Sequence, residues 1–314
     1  MSTKRGTLLR VLWVLAAGLG VSARAAEFKN PLSKLSLDSG YFQNSARAFW
    51  NFGIEVDGVV STGFDFVGST FLGAHPISRL ALGGLFYWQW NRLEYGFFVA
   101  NHELGHGSRL KAVGGTPAYR WGEEAWIGNI FSFWGGGFTR YGRGAEATTT
   151  TPITTQYVPE DYLIHLVAGG MNNSASYAEH IEDRIAFDGG GHILQYPGYV
   201  RAKEDAASYV DNTGGGTEGD VANLLAAYSA KGFAISAGDL KTGSLVSRWA
   251  SSTHWLLLAS AFRYVFRGDP TVQPFYLGNL KLPDLSHFLT SRGLSYKLRS
   301  AYRVSSAAFP VSLE

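Results

Sequence analysis

Residues 97–115 read "FFVANHELGHGSRLKAVGG". Inside them His102-Glu103-Leu104-Gly105-His106 form an H-E-x-x-H pattern. On an α-helix, positions i and i+4 lie about 40° apart, so two imidazoles there can hold one ion from a single face. Zinc suits neutral imidazole, and three protein ligands plus a water make an open, catalytic site. Glu103 projects about 100° from His102, away from a ligand position, where it can take a proton from that water. With 8 histidines and 13 glutamates in 314 residues, chance produces this pattern in about one such chain in a hundred. Gly105 and Gly107 are poor helix formers whose use is to let another segment approach closely.

The surrounding chain sets the context. Lys4, Arg5 and Arg10 precede an apolar run, Val11 to Val21, and Ala23-Arg24-Ala25 follows. That order predicts an export signal cleaved after Ala25, leaving residues 26–314 as a single domain outside the cytoplasm, periplasmic or secreted. The whole chain carries a net charge of +2. The first 25 residues hold four basic side chains and no acid, so the remainder carries −2. No electrostatic case for nucleic acid remains. There are no cysteines, which excludes disulfides, thiolate metal sites and a cysteine nucleophile. Charged residues make up only 17%, against about 25% in a typical soluble protein. Past the signal, no apolar run reaches the ~18 residues of a convincing span. The reading is of buried helices in a large core, with association at a membrane left open.

Arg79 to Val113 reads as helix, in two pieces, stopped by Gly114-Gly115. Residues 54–71 fit either a hairpin or a glycine-interrupted helix. Residues 133–162 and 211–220 have loop chemistry, with helices expected over 160–187, 220–236 and 247–266. The alternating stretch 294–304 and "FPVSLE" predict a C-terminal β-element. The fold class is α+β, mostly α-helical.

An elongated zinc motif would need histidine at 112, where the chain has Ala112. The third ligand is therefore sought downstream. In "SYAEHIEDRIAFDGG", 176–190, Glu179 and Asp183 share one helical face. Glu179 is the expected third ligand and Asp183 the acceptor that fixes an imidazole tautomer. The competing reading is a solvated acidic face. His165 and His192 are further candidates for steadying an oxyanion.

"HELGH" followed by "EHIEDRIAFD" resembles the gluzincin metallopeptidases. Among these it is similar to the membrane-associated group of CAAX prenyl endopeptidases and heat-shock membrane proteases. The resemblance covers two short segments. It implies zinc ligands at His102, His106 and Glu179, a base at Glu103, Asp183 behind a ligand, and a polypeptide substrate. Glu182 departs from it, standing where alanine is usual. A second resemblance is to the site-two intramembrane proteases, carried by "HELGHGSRLKAVGG", "VAGGMNN" (167–173) and "NLKLPDL" (279–285). It implies Asp284 as third ligand. From a different class, the chain also fits a non-catalytic, membrane-associated assembly protein that keeps the helix.

Overall fold

A computed structural model describes residues 46–71, 75–121, 147–150, 160–188, 190–304 and 307–313, all within the unit Ser36–Glu314. The expected export signal lies outside the described residues, as do 133–146 and 151–159 of the expected long loop. Helices α1 (Ala46–Phe71) and α2 (Pro76–Ala112) come first, then a short antiparallel pair, β1 (Ala118–Trp121) with β2 (Ala147–Thr150). Helices α3 (Glu160–Val167), α4 (Gly169–Asp188), α5 (Tyr196–Lys203), α6 (Asp205–Asn212), α7 (Gly219–Ala230), α8 (Ala237–Trp249) and α9 (Ser252–Arg267) follow. A two-residue strand, β3 (Gly191–His192), pairs with β4 (Thr271–Val272). The chain continues in an antiparallel sheet of β5 (Tyr276–Leu277), β6 (Leu280–Lys281), β7 (Asp284–Thr290), β8 (Gly293–Val304) and β9 (Ala307–Leu313). The molecule is thus α+β and mostly helical, with the β-element where the alternating sequence placed it. Among the described residues no helix is long and apolar enough to cross a membrane.

One open sequence reading is resolved and another is corrected. Residues 54–71 belong to one continuous helix, and the two pieces expected over 79–113 are one helix of 37 residues. Its start is set locally. The His75 side chain accepts from the Ile77 amide at 3.3 Å, and Pro76 occupies the first turn, where its missing N–H is no loss. It ends at Gly114, in the left-handed region at φ +81°, with the Gly115 amide bonded back to the Leu110 carbonyl. The outward face of its first half is exposed, but every residue from Asn101 to Gly107 is buried. A segment enclosed on all sides has no polar face, so no amphipathic period marks it.

Helix α2 is central because two apolar clusters meet on it. Phe97, Ala100 and Leu104 pack with Phe49 of α1, Tyr177 and Ile181 of α4, and Tyr199 of α5. Trp90 packs with Phe64, Tyr264 and Leu194 and donates to the Leu194 carbonyl at 3.0 Å. A third cluster joins α3, α4, α6, α7 and α8 to β7 through Ile164, Met171, Val210, Leu224, Leu240 and Leu289.

Between α1 and α2 two carboxyl groups, Asp57 and Glu94, are buried against each other. Burial raises the Glu94 pKa to about 7, opposed by the Asp57 hydrogen bond and by Arg201. Burial and Glu94 raise that of Asp57 in the same direction. Above a pKa near 4.5 the unfolded chain releases a proton that the native state keeps until about 7. Stability contributed by this pair is present below that window and falls as pH rises through it. Glu94→Gln should exceed the native protein in stability at pH 8 by on the order of 2 kcal/mol, with the advantage shrinking toward pH 5. Denaturant unfolding at both pH values measures this, and an offset independent of pH would contradict it.

Candidate metal centre

His102 and His106 emerge from the enclosed part of α2 with their Nε2 atoms 3.2 Å apart. Each ring is held from behind through Nδ1. That of His102 is 2.8 Å from Asp205 Oδ2 on α6, and that of His106 is 2.8 Å from the Leu166 carbonyl on α3. Carbonyls and carboxylates accept only, so each Nδ1 carries a proton, and in the neutral ring the Nε2 lone pair faces forward. Tyr209 of α6 stacks on the His102 ring, with centroids 5.2 Å apart and planes 15° apart.

A third oxygen completes the group. Asp220 Oδ2, in the first turn of α7, lies 3.1 Å from each Nε2. These three atoms form a nearly equilateral triangle. Tetrahedral zinc with bonds of ~2.0–2.1 Å keeps its ligands roughly 3.3–3.4 Å apart, close to the triangle's edges. Three electron-rich atoms at this separation repel one another unless a cation or proton sits among them. The titration behaviour says the same. Burial alone would lower the His102 pKa, but the carboxylates of Asp205 and Asp220 outweigh it and hold it well above the usual range. Burial likewise opposes the rise at His106, which Asp220 produces. Desolvation would raise Asp220, yet its hydrogen bonds from both imidazoles hold it far below a normal carboxyl.

Glu103 is 92% buried beside the pair, and its charge contributes to raising the pKa values of His106, Tyr119 and Tyr209. Burial first, and Glu103 second, push the Tyr119 hydroxyl up to about 12. Tyr209 is raised by burial and then by Asp220.

Glycines bring α4 against this helix. A Cβ on Gly105 would stand 2.3 Å from the Gly169 carbonyl oxygen, and one on Gly170 would stand 2.3 Å from His102 Nε2. Gly107 gives the same room to the Tyr119 hydroxyl. The stretch "VAGGMNN" serves three contacts within α4. Gly169 and Gly170 face α2. Asn172 exchanges two 2.8 Å hydrogen bonds with Leu289 of β7. Asn173 reaches Asn101 Oδ1 at 3.0 Å.

The structure brings His102, Glu103 and His106 together but not Glu179 or Asp183. Expectation of Glu179 as ligand is corrected, because its carboxylate is turned to Lys297 Nζ, 3.4 Å away, and Arg299 Nε, 3.6 Å away, on β8. Asp183 is corrected likewise, since it accepts from Arg299 Nη2 at 2.6 Å. The role assigned to Asp183 falls to Asp205. Glu182 is not a stray residue in the motif. It is buried and pairs with Lys203 at 2.7 Å while accepting from the Tyr199 hydroxyl at 2.9 Å. Asp284, the ligand of the alternative reading, accepts from the Thr253 amide at 2.8 Å and pairs with Lys281. His192 caps the Leu194 amide and meets Asp65 at 3.1 Å. Among the described residues His102, His106 and Asp220 are the one group of three metal-type ligand atoms that lie mutually close.

No protein-family model matches the chain, and no match to it was found among curated proteins or solved structures.

Proposed function

We propose that the chain is a zinc-dependent metalloendopeptidase whose ligands are His102, His106 and Asp220. One observation carries this reading. Two Nε2 atoms, on rings each held through Nδ1, and a carboxylate oxygen converge at 3.1–3.2 Å. A hydrogen-bonded core histidine pair needs no such convergence, because one tautomer flip would let one ring donate to the other. Here Asp205 and the Leu166 carbonyl forbid that flip in the neutral rings.

Zinc bound there would polarise a substrate carbonyl and acidify a water, bringing its pKa toward ~7. The chain's own residues do the rest. Glu103, next to His102 and beside the triangle, takes the proton from that water and returns it to the leaving amine. Asp205 holds the His102 ring in the ligating tautomer and raises its basicity. Tyr209, stacked on that ring, fixes its plane. The resemblance of "HELGH" to peptidase motifs supports a peptide bond as the scissile group.

Glu103→Gln tests the assignment. The variant should keep about one zinc per chain after dialysis while peptide-library cleavage falls by roughly 10²–10⁴, the contribution of a placed general base. Zinc retained by the native chain with no cleavage of any peptide would favour a non-catalytic metal protein. Cleavage undiminished in the variant would remove Glu103 as the base.

A further inference from the structure

The sheet of β6 to β9 has its polarity reversed over most of β8. In an ordinary sheet against helices, apolar residues point inward and charges outward. Here Lys297 and Arg299 point inward, to Glu179, Glu182 and Asp183 of α4. Arg303, on the same parity, lies with its guanidinium 4.5 Å from the centre of the Tyr276 ring. The alternate residues of β8 therefore face out. Leu298, Tyr302 and Val304 are joined by Phe309, Val311 and Leu313 of β9, and these six are 42–72% exposed. The register sets Leu298 beside Leu313 and Tyr302 beside Phe309, with Leu280 of β6 on the other flank of Tyr302. The patch is continuous across three strands.

Its size and charge indicate what covers it. The six side chains present on the order of 600 Å² of apolar surface, the top of the ~300–600 Å² range for the largest patch on a monomer. With Leu280 and Tyr296 it approaches the ~800 Å² per partner of a standard interface. No charged side chain of β8 lies on this face, since its basic residues are committed to α4 and to Tyr276. The basic fringe that draws a protein to an anionic bilayer is thus missing from it. An uncharged apolar face meets a copy of itself without like-charge repulsion, and two sheets stack face to face at about 10 Å with interdigitating side chains. Pairing through the β9 edge is disfavoured, because Pro310 has no N–H to donate.

We propose that two copies of this chain associate by stacking these outer sheet faces across a two-fold axis. The zinc site plays no part in the interface.

Light-scattering mass measurement at ~10 µM should report a dimer, since interfaces of this size reach micromolar affinity or tighter. Val311→Asp should halve the mass while zinc content and secondary structure stay at native values, and the thermal midpoint should fall to that of the dissociated chain. The absence of cysteine gives a second measure. Val311→Cys should be joined into a covalent dimer by a bis-maleimide long enough to span sheets stacked about 10 Å apart, whereas Ser229→Cys, exposed near the end of α7, should not. A monomeric native chain overturns the proposal, as does a Val311→Asp variant that remains dimeric. A monomer that sediments with phosphatidylcholine vesicles, and loses this with Val311→Asp, overturns it in favour of a bilayer.

Discussion

Asp220→Ala should leave the purified protein with well under one zinc per chain, while Glu179→Gln keeps its full complement. The two carboxylates sit in different electrostatic settings. Asp220 Oδ2 is 3.1 Å from both ligating nitrogens and has no lysine or arginine partner among its hydrogen bonds. Glu179 already neutralises Lys297 and Arg299. Removing Asp220 takes away one of the three proposed ligand atoms and the carboxylate that, among the described residues, lies 3.1 Å from both Nε2 atoms. The affinity loss should therefore exceed the roughly 10–100-fold typical of removing an outer partner such as Asp205. Asp220→Asn keeps the volume but not the charge, and should fall between. Glu179→Gln should cost about 1 kcal/mol or less of stability, as a partly exposed pair does. Metal analysis after dialysis distinguishes these outcomes. Equal zinc loss in both variants would show that folding, not ligation, had been disturbed. Zinc retained by Asp220→Ala would dismantle the centre.

The second large effect comes from a residue with no side chain. Gly170→Ala places a methyl 2.3 Å from His102 Nε2 and 2.4 Å from Cδ2. The ring has nowhere to go, since Asp205 holds Nδ1 and Tyr209 covers a face. Either His102 leaves the triangle or α4 moves off α2. Both outcomes lower zinc affinity by well over tenfold, and the second adds an overpacking penalty of about 1–3 kcal/mol. Gly84→Ala, on α2, is the control. Nothing lies within 4 Å of a Cβ there, and alanine in a helix interior gains roughly 0.5–1 kcal/mol. Unfolding titrations with and without zinc measure both. Native zinc binding and stability in Gly170→Ala would mean that the two helices are not in close contact.

The legible parts of this site were those written in local spacing. "HELGH" supplies two of the proposed ligands and the proposed base from five consecutive residues, because one helical turn brings i and i+4 to one face. The alternation of 294–304 gives away the strand for the same reason. Asp220 carries no such mark. It closes the glycine-rich "DNTGGGTEGD" and lies 114 residues beyond His106, so only the folding of α6 and α7 against α2 brings it there. Glu179 and Asp183 show the opposite failure. Their shared helical face was correctly inferred, but its partner is Arg299 on a strand more than a hundred residues away, and spacing cannot tell a cation in a side chain from one in solution. The two pieces expected over 79–113 are one helix, and no local pattern marks its continuity. Gly83, Gly105 and Gly107 admit Tyr264, α4 and Tyr119 against an unbroken helix.

The turn before Asp220 has a thermodynamic consequence. Gly214, Gly215, Gly216 and Gly219 all adopt positive φ, between +59° and +84°. Such a run surrenders much backbone entropy on ordering. Two of the proposed ligands thus ride on a rigid helix, and the third is delivered by a tether that is expensive to immobilise. Occupancy and the closing of that tether become a single equilibrium, so chelation should unlock amide exchange across 213–220 long before the helical core opens.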